Sequence, residues 1–201
     1  MNLLLASRWL DAVPGFLRTT TATARPRVGF IGTASSLYPD PAWLEVDREA
    51  LQGFGCELVE LDPTSPEFAA DLDTLDAVFV SGGNTFHLLH VFRTTGAEQA
   101  LIEKVRAGLP YIGVSAGAAI TGPDIEPVSL MDDATETAPL DSTEAWGLVD
   151  VVVIPHADGI VGGTQVVDDT RTRYADRFPL LFITDDQAVL VSDGSRSVIS
   201  S

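Results

Sequence analysis

Cysteine is all but missing from this chain. Cys56 stands alone, so no internal disulfide can form and a disulfide-stapled scaffold is excluded. Basic residues are scarce too: 12 lysines and arginines face 29 aspartates and glutamates, a formal net charge of −17. Such a surface repels phosphate backbones and anionic headgroups, and with no local basic patch neither nucleic acid nor a membrane is an expected partner. No apolar run reaches the ~18 residues of a transmembrane helix. The opening "MNLLLAS" is interrupted by Arg8 too soon for an export signal, so the expected location is the cytoplasm. Histidines number three, and His87 and His90, three apart in "NTFHLLHVF", have no carboxylate in metal-ligand register. Neither metal nor cofactor is expected. Cys56, inside the strand-like "CELVELD", is expected as a small buried side chain rather than a reactive thiol.

What remains is 45% hydrophobic residues over 201 positions, enough for one full core, with no linker or repeat; residues 1–201 are expected to form one domain. Apolar, β-type runs ("NLLLAS", "RVGFIGTA", "CELVELD", "AVFVSGG", "YIGVSAG", "VVVIPHA", "LLFITDD") alternate with helical segments ("PAWLEVDREALQGFG", "SPEFAADLDTL", "NTFHLLHVFRTTG", "AEQALIEKVRAG", "TQVVDDTRTRYADRF"). Near-continuous apolar strands separated by helices suit a parallel sheet covered on both faces, which predicts a doubly wound, mostly parallel α/β fold flanked by helices. The segment from Gly122 to Asp150, rich in Asp, Glu, Pro and Thr, breaks the rhythm, and an irregular excursion of that length points to function.

In such folds the C-terminal strand ends carry the site. Gly113-Val-Ser-Ala-Gly117 matches the nucleophile elbow, in which a sharp strand-to-helix turn lifts a serine hydroxyl above the sheet edge. Ser115 is the candidate nucleophile and the N–H of Ala116 a candidate oxyanion donor. A hydroxyl of normal acidity needs a base, and His156, at the end of "VVVIPHA", falls on the same edge as Ser115. For the orienting acid the excursion offers Asp132 first, with Asp133 next to it and Asp124 and Glu126 as competitors, giving the chain order Ser…Asp…His. Gly82 and Gly83, in "VFVSGGNTFHLL", leave N–H groups open before a helix, a candidate second oxyanion donor. Asn84 or Thr85 can cap that helix, and Asn84 is also a candidate substrate contact.

Together "LLLAS", "SGGNTFHLL", "LPYIGVSAGA", "GPDIE" and "VVVIPHADG" resemble, in order and spacing, the blocks of the dipeptidase E (α-aspartyl dipeptidase) serine peptidases. The resemblance covers most of the chain. It implies a fold like that of class I glutamine amidotransferases, a three-layer sandwich, and a Ser115–His156–Asp132 triad with Gly82, Gly83 and Ala116 as oxyanion donors. It also implies metal-free hydrolysis of short peptides with an N-terminal aspartate, whose carboxylate would meet the arginine of a Thr-Arg pair, here Thr170-Arg171. Val114 stands where that family has tryptophan. A cyanophycinase-like hydrolase of β-aspartyl-arginine and a non-catalytic ligand-binding relative are the alternatives.

Overall fold

A computed structural model of the protein describes residues 1–192 and 194–201. The elements, in chain order, are β1 (Leu3–Ala6), α1 (Val13–Thr20), β2 (Arg27–Ile31), α2 (Ala42–Gly53), β3 (Glu57–Glu60), α3 (Phe68–Asp71), β4 (Ala77–Val80), α4 (Thr85–Thr95), α5 (Ala97–Arg106), β5 (Tyr111–Val114), α6 (Ala116–Ala119), β6 (Val152–Ile154), α7 (Thr164–Tyr174), β7 (Leu180–Phe182), β8 (Gln187–Ser192) and β9 (Ser195–Ser200). Seven strands make one sheet in the order β3-β2-β4-β5-β1-β8-β9. The first five run parallel, while β8 pairs antiparallel with β1 and β9 with β8. The expected α/β fold with a mostly parallel sheet is the observed one.

The two-residue period of a strand sends neighbouring side chains to opposite faces, and both faces are covered here. Leu4, Ala6, Phe30, Phe79, Ile112 and Val114 pack against Val13, Phe16 and Leu17 of α1 and Leu51 of α2. Leu3, Leu5, Ile31, Val78, Val80 and Tyr111 pack on the other face with residues of α3, α4, α5 and α6. Cys56 is buried in the first of these clusters, and burial pushes its thiol pKa up, as befits an inert core side chain.

Two features depart from the sequence-based expectation. The β8–β9 hairpin and α1 are not among the expected elements: α1 carries Pro14 and Gly15, poor helix formers, and owes its place to burial of Val13, Phe16 and Leu17. Strand β6, which leads to His156, does not join the main sheet. Because β8 occupies the open side of β1, β6 pairs in parallel with β7 as a separate two-stranded sheet, Val152 opposite Leu180 and Ile154 opposite Phe182. Val152, Val153 and Ile154 are fully buried in the same cluster as α6, which still brings the end of β6 to the end of β5. No helix among the described residues is long and apolar enough to cross a membrane.

Candidate active site

The serine at the elbow sits where its glycines predict. Ser115 follows β5 with φ 51° and ψ −108°, a positive φ that is uncommon outside glycine and marks a strained turn. A side chain at Gly113 would run into the carbonyl of Gly117, and one at Gly117 into the carbonyl of Val80. The motif is thus a packing requirement between β5, α6 and the neighbouring β4. The main-chain N–H of Ser115 donates to the Ala6 carbonyl at 3.0 Å, fixing the elbow to the end of β1.

His156 also has a left-handed backbone, φ 56°, and its ring turns back toward the elbow. Its Nε2 lies 2.9 Å from Ser115 Oγ. Its Nδ1 lies 2.7 Å from Asp185 Oδ1. A carboxylate only accepts hydrogen bonds, so Nδ1 carries the ring proton and the bare Nε2 faces the serine hydroxyl as acceptor. The arrangement can therefore take a proton from Ser115 and hold the resulting imidazolium beside a carboxylate. Ser115, His156 and Asp185 line one cavity of about 490 Å³ together with Arg8, Tyr38, Thr85 and Asp132.

The acid on His156 is thus Asp185, in "LLFITDD", and not Asp132. Asp132 Oδ2 instead accepts the Thr85 main-chain N–H at 2.9 Å and the Thr85 hydroxyl at 2.5 Å. Those donors stand at the start of α4, where orphan N–H groups and the helix dipole attract an anion. The irregular segment after Gly122 delivers Asp132 to that helix end. Burial pushes the Asp132 carboxyl pKa up against the Thr85 hydrogen bonds. Asp133 faces away and caps Thr135, and Asp124 and Glu126 are occupied elsewhere, Glu126 with Arg177. Nearby, burial and the Glu136 carboxylate, bonded at 3.1 Å, push the Tyr38 phenol up to about 12.

Gly82 and Gly83 line the cavity. A Cβ on Gly82 would lie 3.1 Å from that of Ser115, and Gly83 (φ +136°) has no room for one beside the Ala34 carbonyl. The N–H groups of Gly82, Gly83 and Ala116 donate to no main-chain carbonyl among the described residues. Asn84 is turned away and fully buried: it caps α4 by accepting the His87 N–H and donates to the Asp133 carbonyl and to Glu136, which leaves it no group for a substrate. Arg171, on α7, is also outside the cavity lining. Its guanidinium lies 4.4 Å from the ring centroid of Phe182 and half-exposed beside Asp168. The cation in the lining is Arg8, alone among the described residues, held by the buried Asp47, whose other oxygen accepts from Ser81. His87 bonds Ser36 and Thr137, and no cluster of metal-ligand residues occurs among the described residues.

Asp185 had no distinguishing sign in the sequence, because adjacent aspartates occur at 132–133, 168–169 and 185–186. The signal is register: β7 pairs with β6, Ile154 opposite Phe182, so a carboxylate three residues past Phe182 reaches the level of His156.

Comparison with known proteins places these residues in a family. The sequence pattern of Peptidase family S51 matches residues 3–199. An uncharacterized peptidase of Listeria innocua, Lin0382, is 34% identical over 195 residues, 96% of this chain and 93% of that protein. Peptidase E of Streptomyces coelicolor is 35% identical over 216 residues, 99% of this chain and 84% of that protein. Among solved structures, a candidate peptidase E protein from Listeria monocytogenes superposes with a TM-score of 0.90 at 30% identity, covering 100% of this chain and 98% of that one. With matches that run its whole length and a site built at the end of its parallel strands, the chain belongs to peptidase family S51 and is a peptidase.

Proposed function

We propose that this peptidase is of the serine type and cleaves short peptides that carry a free amino terminus, dipeptides with N-terminal aspartate first among them. The observation that carries this reading is the unbroken line from Ser115 Oγ to His156 Nε2 at 2.9 Å and from Nδ1 to Asp185 at 2.7 Å. Ser115 gives its proton to His156 as its oxygen attacks the peptide carbonyl carbon. The oxyanion is held by the N–H of Ala116 and by Gly82 and Gly83. The C–N bond breaks as His156 returns the proton to the leaving amine. Water, deprotonated by His156, then hydrolyses the acyl-serine ester.

Charge in the cavity supports the substrate class. Asp132 is anchored on Thr85 through Oδ2, and its Oδ1, without a donor among the described residues, serves the ammonium of the peptide's first residue. Arg8 supplies the positive charge for a substrate carboxylate. Because the acidic lining also suits a basic side chain, hydrolysis of β-aspartyl-arginine is the second reading. The test is a panel of dipeptides varying the first residue, with β-aspartyl-arginine included, assayed on the wild type and on Ser115→Ala. Cleavage abolished by Ser115→Ala supports the serine mechanism. A fully active Ser115→Ala enzyme refutes it, and the best substrate in the panel decides between the two readings.

A further inference from the structure

One buried hydroxyl touches both the candidate base and its carboxylate partner and is neither of them. Ser7, directly after β1, is fully buried. Its main-chain N–H still donates to the Gln187 carbonyl, so it continues the ladder with β8. The alternation that sends Leu4 and Ala6 to the α1–α2 face and Leu3 and Leu5 to the other turns Ser7 toward β6 and His156. Arg8, next along, points the opposite way, to Asp47 on α2.

Three contacts surround Ser7 Oγ. The main-chain N–H of His156 lies 2.8 Å away, Asp185 Oδ1 2.6 Å, and His156 Nδ1 3.4 Å. Their directions are fixed by elimination. A main-chain N–H can only donate, so Oγ accepts there. Nδ1 already carries a proton bound for Asp185, so it is no acceptor for the hydroxyl. The single Ser7 proton is left for the carboxylate. Asp185 Oδ1 thereby receives two donors, one from the ring and one from Ser7, while the main-chain N–H of Asp185 is held by Asp158.

We propose that Ser7 is a positioning residue of the active site, whose hydroxyl locks the left-handed backbone of His156 and aims the Asp185 carboxylate at Nδ1. This inference rests on the serine-peptidase reading above. The need for the lock is local. A non-glycine residue at φ 56° costs on the order of 1–3 kcal/mol and persists only when its surroundings over-determine it. Apart from Ser7, the turn is held by the bonds from the Ala157 N–H to the Ile183 carbonyl and from the Gly159 N–H to the His156 carbonyl and by Asp158, which accepts the Asp185 main-chain N–H, and none of these engages the His156 N–H or the Asp185 carboxylate. Without the hydroxyl, the His156 N–H is left buried and unpaired, and Asp185 loses one of its two donors.

The test is the rate at which a fluorophosphonate probe labels Ser115 in the wild type, Ser7→Ala, the near-isosteric but weakly donating Ser7→Cys, and Ser7→Thr, which keeps the hydroxyl. Thermal unfolding is followed in parallel. The expected result is a fall of about 10- to 100-fold for Ser7→Ala and Ser7→Cys, the range seen when supporting hydrogen bonds behind a site are removed. Most of the rate should be restored in Ser7→Thr. Folded Ser7→Cys or Ser7→Ala protein labelled at the wild-type rate, or an equal loss in Ser7→Thr, overturns the proposal. Failure of the serine-peptidase reading looks different: the wild type itself would then be labelled no faster than Ser115→Ala.

Discussion

The Asp185 carboxylate lies 2.7 Å from Nδ1 of His156, although the two residues are 29 positions apart and leave the ends of the two strands of a minor sheet. Ser115 arrives from the main sheet. The proposed catalytic geometry is thus assembled across two separate hydrogen-bonded sheets, joined by the buried packing of β6 on α6.

From this follows a ranking of carboxylates. Asp185→Asn keeps the shape but offers Nδ1 an amide in place of a charged acceptor, which favours the wrong imidazole tautomer. A loss of about 10⁴-fold in kcat is expected, on the scale of the equivalent change in serine proteases. Ser115→Ala and His156→Ala should each lose at least as much, and the double variant little more, because the three act as a unit. Asp132→Asn should retain kcat within roughly tenfold. Steady-state kinetics of the five variants on one peptide decide it: equal collapse in Asp132→Asn with normal turnover in Asp185→Asn would return the orienting role to Asp132.

How much of this was legible in the sequence depended on whether a residue's task is set by its own strand or by a neighbour's. Ser115 was readable because the elbow writes its steric needs into Gly113 and Gly117, two and two away. His156 was readable because a polar residue ending an apolar strand is placed by that strand alone. Asp185 was not: its role depends on which strand pairs with β6, and the chain order Ser…Asp…His pointed into the loop after Gly122. Asn84 and Arg171 failed for the same reason. Each falls on the expected element, but the direction of a side chain at a helix end or on a helix face is set by tertiary contacts, here with Glu136 and Phe182.

Asp132 should show its placement in a pH-dependent stability difference. Its pKa is raised by burial, so ionising it disfavours the folded state. The native protein then binds more protons than the unfolded chain over the interval between the ordinary value of 3.8 and the raised one, and this group's contribution falls as pH climbs through that window. Asn keeps an acceptor for Thr85 without the charge. Asp132→Asn should therefore unfold at a higher temperature than wild type at pH 7, with the gap closing as pH drops below 4. A stability gain that is the same at both pH values would contradict the buried charge. The same variant should raise KM for peptides with a free amino terminus and leave their N-acetylated forms unaffected.

The elbow glycines permit a purely steric prediction. Gly117→Ala drives a methyl group into the Val80 carbonyl, a main-chain atom in the middle of the sheet that cannot swing aside. Overpacking of this kind costs about 1–3 kcal/mol or more, read as a lowered denaturation midpoint. Gly53→Ala, where nothing lies within 4 Å of the added carbon, should unfold at or above the wild-type midpoint. Equal midpoints for Gly117→Ala and wild type would show that β4 and β5 are less rigidly spaced than described.

The proposed selectivity for an acidic substrate turns on which arginine would do the selecting. Arg171 lies on α7 outside the cavity, its guanidinium over Phe182 and half-exposed to solvent, where a charge acts on the cavity only through screened distance. Arg8 lines the cavity, and its one side-chain hydrogen bond among the described residues, to Asp47 at 3.4 Å, leaves most of its five donors available to a carboxylate. With a net charge of −17 repelling acidic peptides at a distance, discrimination must arise from such a short-range cation. Arg171→Ala should therefore leave the ratio of kcat/KM for Asp-Leu over Asn-Leu within about twofold of wild type, whereas Arg8→Gln should reduce that ratio about tenfold, equivalent to about 1.4 kcal/mol. Arg8→Gln also leaves the buried Asp47 carboxylate with Ser81 alone, so the protein should lose stability as well, and the ratio rather than the absolute rate is the quantity to compare. Collapse of the ratio in Arg171→Ala with Arg8→Gln unchanged would show that α7 swings over the cavity when substrate binds. An Asp-Leu to Asn-Leu ratio near one in the wild type would remove aspartate from the substrate reading while leaving the Ser115 chemistry intact.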